Sequence, residues 1–134
     1  MSAPIIYIES NAALRRSMAE WLKSEGLEVT VFADGADAEH YLAGHTPEMV
    51  IANHYLTGTS GIEILARLRA RGVCCPFVLF HISQDAQLFS LAESLKAYCL
   101  PLADCGTRMF VETLGRCLTD IARDRGFKMA CVVG

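Results

Sequence analysis

Nothing in this 134-residue sequence is long and apolar enough to cross a membrane. The longest apolar stretch, around Val73 to Phe80, is interrupted by Pro76 and falls well short of a bilayer span. The opening segment MSAPIIYIES has neither a basic head nor a long apolar run, which argues against a secretory signal. Positive charge is scarce too. Twelve Lys and Arg stand against 15 Asp and Glu, a net charge of −3, which does not suit a nucleic-acid partner. Arg15, Arg16, Arg67, Arg69 and Arg71 are dispersed among helical positions and read as solvated helix faces. Six cysteines are present, but none forms the C-x-x-C pair that a zinc finger needs. Cys74 and Cys75 are adjacent, a poor arrangement for joint tetrahedral ligation. The cysteines therefore read as small, often buried hydrophobes of a reducing, cytoplasmic compartment. Internal repeats and low-complexity stretches are absent. What is there is enough for one domain: 52% hydrophobic and 20% charged residues can bury a core.

Along the chain, strand-like and helix-like segments alternate. PIIYIE is a short continuous apolar run, as a central parallel strand requires. SNAALRRSMAEWLKSEG places Leu14, Met18, Trp21 and Leu22 on one stripe, with Ser10 or Asn11 to cap it and Gly26 to end it. LEVTVFA alternates as a second strand. A short helix follows Asp34-Gly35, with Ala38, Tyr41 and Leu42 inward, and ends at Gly44. EMVIAN is the third strand. Ser60-Gly61-Ile62-Glu63 has the form of a capping box, and the helix it starts reaches about Arg71, with Ile62, Leu65 and Leu68 as its apolar stripe. PFVLFHI is the fourth strand, with Pro76 at its permitted start. DAQLFSLAESLK is a helix whose Leu88, Phe89, Leu91, Ala92 and Leu95 make a wider apolar surface than one-sided packing needs. AYCLPL is a short fifth strand, placed at an edge by Pro101. The last helix spans Thr107 to Arg125, with Phe110, Leu114, Cys117, Leu118 and Ile121 on one face.

Five strands alternating with five helices imply an α/β fold with a parallel sheet covered on both faces. Ligands in such sheets bind beyond the carboxyl ends of the strands, where the strand order switches. The residues expected there are Glu9 and Ser10, Asn53, His81, and Leu102 or its neighbours.

Two long segments carry a family resemblance: LRRSMAEWLKSEGLEVTVFADGADAEHYLA, and PEMVIANHYLTGTSGIEILARLRARG with its L-x-G-x-S-G loop. From about Ile5 to Leu118 the chain resembles the CheY-like receiver domain of bacterial two-component response regulators. That resemblance implies a flavodoxin-like (βα)5 sandwich with strand order 2-1-3-4-5. It makes residues 1–126 a receiver-like domain and 127–134 a tail or linker. In the family, two acidic residues after the first strand hold Mg²⁺, and an Asp ending the third takes a phosphoryl group. A Thr or Ser after the fourth strand and a Lys after the fifth contact that group. The resemblance places Glu9 and Ser10 at the acidic pair, Asn53 at the acceptor, His81 at the hydroxyl and Leu102 at the lysine. Only Glu9 keeps the family's acidic character.

The chemistry follows from these substitutions. An amide is neutral and a feeble nucleophile. Mg²⁺ wants hard anionic oxygen, so this pocket is not expected to hold it, and no other cofactor is expected. Without the lysine, nothing steadies a transferred phosphoryl group. Glu9 reads as an exposed strand-end carboxylate or a cap of the pocket, Asn53 as a turn residue bonding to its loop, and His54 as a solvated loop residue. A hydrogen bond from His81 to Glu9 or Asn53 would freeze the pocket.

The first expectation is a non-enzymatic, phosphorylation-independent interaction module whose partner is a signalling protein (a histidine kinase or an output domain) or a second copy. Its expected surface includes Phe89, Leu91, Tyr98, Cys99, Arg108 and Glu112; the family's switch aromatic maps onto Cys99. The second is a receiver still answering a metal, proton or other ligand at Glu9, Asn53 and His81. The third is a small flavodoxin-like nucleotide or flavin binder, disfavoured because IESNAALRR lacks a glycine-rich turn.

Overall fold

The computed structural model describes residues 5–81, 85–101 and 107–125. Five strands alternate with five helices: β1 (Ile5–Ile8), α1 (Ala12–Ser24), β2 (Val29–Phe32), α2 (Gly35–Leu42), β3 (Met49–Asn53), α3 (Gly61–Ala70), β4 (Phe77–His81), α4 (Ala86–Ser94), β5 (Tyr98–Pro101) and α5 (Thr107–Arg125). All strands pair in parallel in the order β2-β1-β3-β4-β5, the flavodoxin-like arrangement. β5 is an edge strand, as Pro101 implied.

Alternation along each strand sorts the core into two layers. Ile5, Tyr7, Met49, Ile51, Val78 and Phe80 face α1 and α5, where Met18, Leu22, Leu114, Leu118 and Ile121 meet them. Ile6, Ile8, Val50, Ala52, Phe77 and Leu79 face α2, α3 and α4 and bury Ala38, Leu42, Ile64, Leu65, Leu68 and Ala92. β1 and β3 are sealed on both sides, which is why they read as unbroken apolar runs.

Helix starts follow their capping chemistry. Asn11 accepts from the Leu14 N–H, Asp34 from Ala36 and Asp37, and Asp85 from Gln87 and Leu88. Ser60 and Glu63 form the reciprocal capping box of α3. The Glu63 carboxyl is held below its usual value, first by the Thr59 hydroxyl and then by Ser60.

The α3 stripe differs from expectation. Ile64 is buried with Leu65 and Leu68, whereas Ile62 is only half-buried. The helix phase is set by Gly61, where a Cβ would fall 2.5 Å from the Asn53 carbonyl oxygen. This close approach turns the arc at 61, 64, 65 and 68 onto the sheet. The breadth of α4 is not deep burial: Ala92 alone is buried, Leu88, Phe89 and Leu95 are half-buried, and Leu91 is exposed.

The cysteines also depart from expectation. Cys74 is exposed and Cys75, Cys99 and Cys117 are only half-buried, because they sit in a loop, an edge strand and the rim of a helix face rather than on sealed strands. Cys105 and Cys131 lie outside the described residues. Among the described residues, no helix is long and apolar enough to cross a membrane.

A candidate site closed by its own hydrogen bonds

The register of β1 against β3 pairs Ile8 with Ala52, so the next residues, Glu9 and Asn53, emerge side by side at the carboxyl edge of the sheet. Glu9 is 1% exposed, so the reading of an exposed strand-end carboxylate is overturned and the capping reading is what the fold realises. Its carboxylate needs donors to survive burial, and it has them. The Asn53 Nδ2 group donates to Oε1 at 3.1 Å and Oε2 at 3.3 Å, and the Asn11 backbone N–H donates to Oε2 at 3.0 Å. Asn53 Oδ1 meanwhile accepts from the Tyr55 N–H at 3.0 Å, the turn bond expected of it. This pattern fixes the amide orientation, since the reverse would set amide oxygen against carboxylate oxygen and NH₂ against N–H.

Ser10 turns its hydroxyl away from the carboxylate. Oγ donates to the Ala33 carbonyl at 2.7 Å and accepts from the Thr57 N–H at 2.9 Å. One side chain thus ties together the loops after β1, β2 and β3. The Gly35 N–H, donating to the Thr57 carbonyl at 2.8 Å, strengthens that tie.

Arg15 was missed as a site residue. It reaches back from α1 to donate through Nη1 to the carbonyls of Glu9 and Ser10, at 2.9 and 3.3 Å. Arg69, also half-buried, departs from the solvated-face reading in the same way and bonds the Leu95 and Val73 carbonyls. Arg16, Arg67 and Arg71 are exposed as expected, with Arg67 pairing with Glu39 and Arg71 reaching the Leu42 carbonyl. A helical charge at a buried rim looks no different in sequence from one facing water.

His54 is also not a solvated residue. It is half-buried, its ring packs edge-on to Tyr55, and its backbone bonds Phe80 and Gly61. Beneath the site, Tyr7 is fully buried and stacks on Phe80, and its hydroxyl has no hydrogen-bond partner among the described residues. Burial first, and the Glu9 charge second, push its ionisation far above the usual tyrosine value, with Arg15 opposing.

His81 ends β4 beside Pro101, but its side chain is outside the described residues, and so is the proposed bond from it to Glu9 or Asn53. Leu102 and the Arg108 side chain are likewise outside them. Of the expected surface, Leu91 and Tyr98 are 48% and 36% exposed, Glu112 is exposed, and Phe89 and Cys99 are half-buried. Burial, and then Glu93, push the Cys99 thiol up.

Among the described residues, no group of three or more His, Cys, Asp and Glu side chains is arranged to hold a metal ion. Among the described residues, the donors at the strand ends do not fit Mg²⁺. Glu9 supplies one carboxylate, and two nitrogens already occupy it; Ser10 is turned onto a loop.

Comparison with known proteins agrees with this architecture. The family model of the response regulator receiver domain matches residues 5–98. The Regulator of RpoS of Escherichia coli is 28% identical over 92 residues, covering 69% of this chain and 27% of that protein. The virulence transcriptional regulatory protein PhoP of Salmonella typhimurium is 28% identical over 75 residues, 56% of this chain and 34% of that protein. The chain therefore spans about a third or less of the length of these curated relatives. Among solved structures, a CheY-like receiver domain protein of Methanospirillum hungatei superposes with a TM-score of 0.74 at 14% identity, covering 92% of this chain and 99% of that one. The response regulator TrrA of Thermotoga maritima, in complex with Mg(2+)-BeF, gives 0.72 at 16% identity, covering 90% and 99%. With strand order, helix placement and the matched family model in agreement, the chain belongs to the response regulator receiver domain family of two-component signalling.

Proposed function

We propose that this receiver domain no longer switches covalently and works as a phosphorylation-independent protein–protein interaction module. One observation carries the proposal: the Asn53 amide donates to both oxygens of buried Glu9. In a receiver that is phosphorylated, the group ending β3 must present an anionic oxygen to phosphorus, and the acid after β1 must present another to a cation. Here those two side chains satisfy each other. The amide nitrogen carries no lone pair basic enough to attack, and the carboxylate is turned inward onto N–H donors.

A domain whose site has one conformation offers partners one surface. Ligands shift populations only between states they bind differently, and a site with nothing to bind provides no such bias. The exposed Leu91 and Tyr98 on α4 and β5 support the reading of that region as the contact surface for a signalling protein or a second copy.

The test is incubation with acetyl phosphate and Mg²⁺ followed by intact mass measurement. No phosphoryl adduct is expected on the native chain, and none on Asn53→Asp alone, because Ser10 and Leu102 still depart from the family pattern. A phosphoryl group on residue 53 of the native protein overturns the proposal.

A further inference from the structure

At the opposite end of the sheet from Glu9, a groove of about 620 Å³ opens where the α3–β4 loop meets the end of α4 and the start of β5. Arg69, Cys74, Pro76, Leu95, Lys96 and Tyr98 line it. Its size is in the range of small-molecule sites, and its mixture of apolar wall and few polar groups is theirs as well. The protein carries a net charge of −3, yet among the described residues the charged side chains lining this groove are cationic only. Arg69 donates to the carbonyls of Leu95 and Val73 at 2.7 and 2.8 Å, and at 3.4 Å to that of Lys96. The guanidinium therefore covers the carbonyl ends that would repel an anion and adds a positive charge. Lys96 follows the last turn of α4 with φ +60°, a left-handed conformation in which it is exposed.

We propose that this groove binds a small organic anion with an aromatic body. Lys96 holds the acid group, and Leu95, Pro76 and the Tyr98 ring take the body. Neither the groove nor the ligand depends on the state of Asn53. Occupancy would bear directly on α4 and β5, the elements that carry Leu91 and Tyr98, and would give this receiver an input separate from the closed site.

Titration of the full chain with anilinonaphthalene sulfonate, an aromatic sulfonate, tests it. Saturable fluorescence is expected, with backbone-amide NMR shifts at Cys74, Ala97 and Tyr98. Bound probe is also expected to slow alkylation of Cys74 by iodoacetamide, read by peptide mapping. Cys117 serves as the internal reference, its thiol pushed up to about 11 by burial and then by Asp120. Lys96→Gly is expected to weaken binding about fivefold, the effect of one partly exposed charge contact. It is not expected to lower thermal stability, because glycine accepts φ +60° without strain. Unchanged affinity in Lys96→Gly, shifts confined to the exposed side of α4 around Leu91, or Cys74 alkylation indifferent to the probe each overturn the proposal.

Discussion

The two ends of the molecule that matter here are built on opposite principles. At the carboxyl ends of β1 and β3, polar groups are matched, with Glu9 buried and Ser10 and Asn53 half-buried: Glu9 with Asn53 and Asn11, Ser10 with Ala33 and Thr57, Asn53 with Tyr55. Along α4 and β5, apolar groups are left in water: Leu91 and Tyr98 stand out, and α4 buries only Ala92. A site that reacts has to keep a polar group waiting for a partner. A surface that binds has to keep an apolar group waiting for one. On the function proposed above, it is the surface of this receiver that still waits.

Substitutions that unbalance the first region and spare the second sharpen the contrast. The largest effect is expected from Asn53→Asp, which replaces a donor to the buried Glu9 carboxylate by a second carboxylate about 3 Å away. A loss of about 3 kcal/mol at neutral pH is expected, the scale of an uncompensated buried charge. One carboxyl of the new pair then has a folded-state pKa above its unfolded value, so the folded variant binds the extra proton more readily. Its deficit is expected to shrink as pH falls toward 5, which thermal unfolding of variant and native protein across pH will show.

Ser10→Ala comes next. It leaves the Thr57 N–H and the Ala33 carbonyl without their bond, with an expected cost of about 1–2 kcal/mol and faster amide exchange at Thr57. Tyr7→Phe is expected to move the other way by up to about 1 kcal/mol, since it deletes a buried hydroxyl that no group among the described residues satisfies. Chemical denaturation with an unchanged m-value registers that gain.

The smallest effect on stability, within about 0.5 kcal/mol, is expected for Leu91→Asp on the exposed face. That variant is nevertheless the one expected to abolish partner binding or self-association, measured by sedimentation or pull-down with the cognate partner. If Leu91→Asp unfolds the domain while Ser10→Ala leaves it untouched, the division between a matched site and an open surface is wrong.

Much of the fold was legible because its signals are local. Continuous apolar runs at 5–8 and 49–52 announced sealed parallel strands, and the caps at Asn11, Asp34 and Ser60 placed three helix starts. Helix phase was less legible. Ile62 and Ile64 fit the same apolar pattern, and the contact of Gly61 with β3 decides between them. In the site, the residues were legible and their bonding was not. That Glu9 and Asn53 share a strand edge follows from topology, but that one donates to the other depends on a register of one residue. Arg15 and Ser10 were obscured for the same reason: their partners are carbonyls and amides of other loops, which carry no sequence signature.

The most direct measurement is a backbone-amide NMR titration of the native chain with beryllofluoride and Mg²⁺, which together mimic a phosphoryl group on an acidic side chain. With Asn53 holding Glu9, the amides of Glu9, Asn53, Tyr55 and Thr57 are expected to stay where they are. Saturable shifts at those amides, dependent on both beryllofluoride and the cation, would contradict a site closed by its own hydrogen bonds.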